Sequence, residues 1–315
     1  MHLTDGIKEL EKVFRNNPIS QVHQRSHPIL HAISEEKENL QFMFRWFLES
    51  HYEQFRRFSI TGDFIIPIYN SHAFSFDAGI FSPHDTNYSY ATMHNHDDVE
   101  LSTINIFGSG YNSLIFKEGF ETLSGDEVKI ELDAYKRHSL ENIEYIKNNV
   151  AHTVFFPKDL TITLTLWSSS RSIRNGISDK WYRFTKKRKS RKRKEDLYKK
   201  YGVTGLSYVL QDWFYPAEGK IHKIPYYREA PYGKNFFNNF LFKLQTIGFD
   251  DNQLVEQYFD QVTLSQTQES ILNQYLRGER LHINHEGDAM ITPTRNVLIS
   301  EYQKCFPDFD FTLTQ

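Results

Sequence analysis

The chain has one cysteine, Cys305, in 315 residues. An intrachain disulfide, a thiolate zinc cluster and a CxxC redox pair are therefore excluded. Long apolar runs are also missing. Stretches such as 64–69 fall far short of the ~18 residues a membrane-spanning helix needs, so no membrane is expected as a partner. The opening residues, Met1-His2-Leu3-Thr4-Asp5, lack the charged-then-apolar build of a secretory signal, and a reducing, cytoplasmic location is expected. There is no glycine-rich phosphate loop, no G-x-S-x-G elbow and no HExxH, which removes the common nucleotide, serine-hydrolase and zinc-protease readings. No period of about 20–50 residues repeats, so a solenoid or propeller is not expected.

What is abundant is aromatic. Phe (26), Tyr (18) and Trp (4) make 15% of the chain, enough to fill a barrel or sandwich and too many for a chain disordered throughout. The length allows one large domain or two modest ones. The net charge of −3 hides an asymmetry: residues 186–200 carry 10 basic and 2 acidic side chains, whereas the rest of the chain carries 27 and 38. The run lacks aromatics between Lys186 and Lys194, so stacking on bases is not indicated. It reads as a solvated connector, and nucleic acid is not expected as a partner.

Hydrophobic spacing divides the chain. From Ile29 to Phe58, apolar residues recur every three or four positions, which predicts one or two amphipathic helices ending at Thr61-Gly62-Asp63. From Phe64 onward, short aromatic and apolar runs at 64–69, 73–81, 100–107, 113–116, 143–146, 153–156 and 160–167 predict strands. The last alternates strictly, as a strand with one buried face does. Beyond the basic run, 236–246, 251–259 and 266–276 predict helices, followed by a hairpin of 281–284 with 289–292. The layout is thus an N-terminal helical segment (1–60), a β-barrel (61–170), a basic connector (171–200) and a mostly helical C-terminal region (201–315). The fold class is mainly β with helical additions.

Of 14 histidines, two stand in His94-Asn95-His96-Asp97-Asp98-Val99-Glu100. Strand alternation turns 94, 96, 98 and 100 to one side, so two imidazoles can share one ion, with Glu100 joining if the strand bulges between 97 and 99. His152, opening the run before the alternating strand, supplies a third imidazole. Three histidines with a carboxylate suit Fe(II), with Mn, Ni, Cu and Zn also open. Tyr88, Tyr90, Tyr111 and Trp167 are candidates for a pocket wall or for orienting the ligands. His282 and His285 read as incidental residues of the C-terminal hairpin.

These residues resemble the cupin superfamily, whose early motif is H-x-H, then Glu, then Gly, and whose late motif adds one His. Here they are His94, His96, Glu100, Gly108 and His152. The Pro-x-Gly usual before the late His is absent, and Phe156 stands where Asn is expected. Within cupins, the segment around His152 looks like the cysteine-dioxygenase-like thiol dioxygenases. The resemblance covers about residues 64–168. It implies a jelly-roll barrel and an O2-dependent non-heme Fe(II) oxygenase acting on a small polar molecule such as an amino acid or thiol, with a homodimer as one assembly to expect. Two other readings stay open. One is a 2-oxoglutarate/Fe(II)-dependent oxygenase using His96, Asp98 and His152, with Lys158 or Arg171 for the co-substrate. The other is a non-catalytic metal- or ligand-binding cupin with a regulatory helical tail. Isomerase or lyase chemistry in the same barrel is a further variant.

Overall fold

A computed structural model describes residues 1–50, 64–71, 73–89, 92–96, 99–169, 212–225, 236–261, 263–283 and 297–313. The basic run at 186–200 and most of the 281–292 hairpin lie outside the described residues. Three helices open the chain: α1 (Leu3–Asn16), α2 (Ile19–Ser34) and α3 (Glu38–Ser50). In α1, Leu3, Ile7, Leu10 and Phe14 recur at helical spacing and meet the core, and the His2 ring accepts the Thr4 N–H at its start. Among the described residues, no helix is long and apolar enough to cross a membrane.

Two antiparallel sheets follow. The first, in the order β1-β2-β11-β4-β9, is built from β1 (Phe64–Asn70), β2 (Phe74–Phe81), β11 (Thr161–Ser169), β4 (Val99–Phe107) and β9 (Ile143–Ile146). The second contains β3 (Met93–His94), β5 (Tyr111–Phe116), β6 (Glu121–Ser124), β7 (Glu127–Lys129) and β8 (Leu132–His138). It is completed by β10 (His152–Val154), β12 (Asp212–Ala217) and β13 (Lys220–Pro225), in the order β6-β7-β13-β12-β3-β10-β5-β8. From β2 to β5, and again from β8 to β12, the chain changes sheet at every step. That winding is a jelly roll.

Alternation gives the first sheet two different faces. Phe74, Phe76, Ala78, Ile80, Ile104, Ile162, Leu164 and Leu166 point outward into a core shared with Leu10, Leu30, Phe44 and Phe47. The intervening residues face the second sheet. Both faces of β11 are covered: Thr161 and Thr163, on its inward side, are 0% and 1% exposed. The expectation of one buried face therefore counted the apolar half only.

The C-terminal helices α4 (Phe236–Thr246), α5 (Asn252–Phe259) and α6 (Gln266–Leu276) extend the same outer core through Phe237, Phe240, Leu241 and Leu244. Helix α7 (Ile299–Cys305) instead covers the second sheet, with Tyr302 6.4 Å from Phe116 and 6.0 Å from Phe155, ring to ring. The region 201–315 is less helical than its sequence predicts. Strands β12 and β13 form a hairpin that enters the second sheet through β3 and β7. Its two-residue turn has Glu218 at φ 52 and Gly219 at φ 74, the left-handed pair that matches strand twist. The jelly roll thus extends beyond 61–170.

His23 ties α2 to the first sheet. Its Nδ1 lies 2.9 Å from Ser102 Oγ and its Nε2 lies 2.8 Å from Ser168 Oγ. Burial, then the neighbouring His27, pushes its pKa down from 6.5 to about 4. The ring is neutral in the fold, whereas the unfolded chain takes up its proton below pH 6.5. The stability this contributes is present above pH 6.5 and is lost as pH falls toward 4, by about 1.4 kcal/mol per pH unit. Paired thermal denaturation series should show the wild type losing melting temperature across that window more steeply than His23→Gln.

Candidate metal centre

Three histidines meet at one end of the space between the sheets. His94 on β3 and His152 on β10 are direct cross-strand partners, with ring centroids 4.6 Å apart. His96, just past the end of β3, places its ring 4.9 Å from each. It also meets the Trp167 indole of the first sheet edge-on at 4.9 Å. One ligand nitrogen from each of the three lies within 4.8 Å of the others, and His96 Nε2 is 3.2 Å from His152 Nε2.

Backbone carbonyls orient two of the rings. His94 Nδ1 donates to Thr92 O at 3.0 Å and His152 Nδ1 to Val150 O at 3.3 Å. An imidazole that donates from Nδ1 keeps its Nε2 lone pair for an ion. Burial, then His94 and His152, pushes the His96 pKa well below its usual value. Burial and then His94 take His152 down to about 3, against the opposing bond to Val150. Neutral rings are the form that binds metal.

The donor set fits a divalent transition ion. Two nitrogens bound at about 2.0–2.1 Å to one ion, at octahedral or tetrahedral angles, stand about 2.9–3.4 Å apart, which brackets the His96–His152 separation. His152 is 3% exposed, whereas His94 and His96 are only half-buried, so the site has both a fixed wall and an approach.

The remaining expected site residues fall elsewhere. Glu100 shares the outward face of β4 with Ser102 and Ile104, and its Oε2 accepts the Tyr145 hydroxyl at 2.8 Å. The cluster of ligand atoms contains the three histidines without it. The reason is parity: β4 runs regularly from Val99 and pairs Leu101 with Trp167. Leu101 is therefore the residue turned inward and Glu100 the one turned out. Tyr111 faces the interior against Phe81 and His138, at 5.4 and 4.9 Å between rings. It lies four residues along β5 from Ile115, the partner of His152, or about 13 Å. Tyr90 and Asp98 lie outside the described residues. The orienting groups, Thr92 O and Val150 O, are backbone atoms and carry no signature in the sequence.

No family model matches the chain, and no curated protein matches it. Solved structures similar to it include TT1209 of Thermus thermophilus, at 11% identity and TM-score 0.23, covering 34% of this chain and 83% of that one. The cupin domain of Cnp3 from Schizosaccharomyces pombe is 5% identical with TM-score 0.26, covering 37% and 71%. The L-ribose isomerase of Cellulomonas parahominis is 12% identical with TM-score 0.25, covering 34% and 61%.

Proposed function

We propose that the chain is a cytosolic, metal-dependent oxygenase in which His94, His96 and His152 hold Fe(II) and a small polar molecule is oxidised with O2. One observation carries this reading: three imidazoles converge on one point beside the interior of a jelly roll. Fe(II) bound there supplies redox chemistry that side chains lack. Three protein nitrogens leave coordination positions for groups from outside. The chain's own part is to hold the rings, through Thr92 O and Val150 O, and to wall the site with the Trp167 indole against His96. Protein loaded anaerobically with Fe(II) should consume oxygen when offered a panel of amino acids and thiols, and His94→Ala should lower that rate at least about a hundredfold. Oxygen uptake no faster than that of metal-free chain, with every compound, would overturn the reading.

The all-nitrogen donor set favours one second reading, because the same three ligands suit Zn(II) and a non-redox lyase or isomerase. Turnover that proceeds at an equal rate without oxygen is its signature.

A further inference from the structure

The interior next to the metal centre is polar in a way the proposed chemistry leaves unused. Trp167, Leu101 and Ile146 form one inward row across the first sheet. Leu101 and Ile146 cluster with Ile115 of the second sheet, the residue paired with His152. This row is therefore level with the histidines. One register step along the strands, the inward row becomes Asp77, Thr165, Thr103 and Glu144, each partnered with the next. Thr165 Oγ1 donates to Thr103 Oγ1 at 3.3 Å, and Ser113 Oγ, from the facing sheet, donates to Glu144 Oε1 at 3.0 Å. A further step brings Tyr111, bonded to Thr103, against its strand partner His138.

Two members of this cluster are incompletely satisfied. Glu144 Oε2 is buried without a hydrogen-bond partner among the described residues, and so are both ring nitrogens of His138, a residue 2% exposed. A buried acceptor left unmade costs about 1–3 kcal/mol, and such groups call for a water, an ion or a ligand. Burial raises Glu144, opposed by the Ser113 hydroxyl and by Lys136, and takes Asp77 up to about 7. It also lowers His138 to about 4, so that ring is neutral, with one nitrogen able to accept and the other able to donate.

We propose that Glu144, with Ser113, Thr103, Tyr111 and His138 around it and Asp77 at the far end of the row, is a subsite for the ammonium group of a small amine. The opposite end of that amine would reach the three-histidine centre. The assignment of substrate class rests on the oxygenase or lyase reading of that centre; the cation subsite itself does not. One register step is about 6.5–7 Å, the span of four or five bonds. An ammonium supplies the donors that Glu144 Oε2 lacks and keeps the carboxylate ionised. A carboxylate at the same end would meet Glu144 and Asp77 with its own charge, and an alkyl end would leave the acceptors bare.

The test uses three probes of one length, n-butylammonium, n-butanol and butyrate, titrated into the full chain by calorimetry and by NMR of the His138 ring. Butylammonium should bind at least about tenfold more tightly than the other two and shift the His138 signals. Glu144→Gln should abolish that preference while the metal content, measured on the same samples, stays at the wild-type value. Should Glu144→Gln not fold, Ser113→Ala, which releases Oε1, should weaken the preference in the same direction. Equal binding of the three probes, or a preference surviving both substitutions, overturns the proposal. An ammonium preference in a chain that binds no metal would instead overturn the reading of the histidine centre and leave the subsite standing.

Discussion

His152→Ala should reduce the metal content of the purified chain to below about a tenth of the wild-type value, because losing a ligand costs at least the roughly ten- to hundredfold in affinity typical of disturbing its support. Among the three histidines this substitution is the most informative. His152 is the most buried of them, is paired in register with His94 and stands 3.2 Å from His96. Its removal takes away the nitrogen that both of the others approach. Elemental analysis gives the stoichiometry. Co(II) titration followed by Trp167 fluorescence gives the affinity, since that indole lies 4.9 Å from the His96 ring and a bound paramagnetic ion quenches it. The strand pairing of His152 is made by backbone atoms and survives the change, so the fold is expected to persist. Unaltered metal content would remove the three-histidine centre and the oxidative reading with it.

Gly110→Ala is expected to have the largest effect on stability. Gly110 has φ 84 at the turn from β4 into β5, and a Cβ there would lie 1.8 Å from His138 O and 2.8 Å from the carbonyl carbon. The left-handed backbone alone costs about 1–2 kcal/mol for an L side chain. Since the obstruction is backbone held in the β5–β8 ladder, a total of about 3 kcal/mol or more is expected, or roughly 6 °C or more in melting temperature. Gly119 is the control. It has φ 89 and nothing within 4 Å of its Cβ position, so Gly119→Ala should show the backbone cost only. Equal losses for the two variants in thermal denaturation would show that the turn yields and that the β5–β8 pairing does not fix it.

Much of this architecture is legible in the residues. The runs at 64–69, 73–81, 100–107, 143–146 and 160–167 became the five strands of the first sheet, because their apolar halves face a helical core. Phe236–Thr246 and Gln266–Leu276 are helical as their spacing predicts. The H-x-H pair and His152 were identifiable from spacing, since strand geometry can bring such residues together. Side-chain direction was harder to read. Whether Glu100 points in or out depends on a single residue of phase, and the phase is set by the pairing of Leu101 with Trp167, which lies 66 positions away. Helix α1 falls within the expected helical segment 1–60 but is not marked off as an element of its own, because its charged residues mask four apolar positions. Strands β12 and β13 escaped because Glu-Gly is not among the usual two-residue turn signals. Glu144 and His138 gave no warning at all: each is an ordinary polar residue on a short or charged strand, and only closure of the two sheets buries it.

The placement of β12 beside β3 bears on how the protein is made. The strand carrying His94 is flanked on one side by His152 and on the other by a segment encoded more than a hundred codons downstream of it. During synthesis the three histidines are present well before that flank emerges, so a nascent chain displays its ligands on an open edge. A settled pocket at the three-histidine cluster therefore forms only once β12 has emerged, and any metal loading there would follow that step.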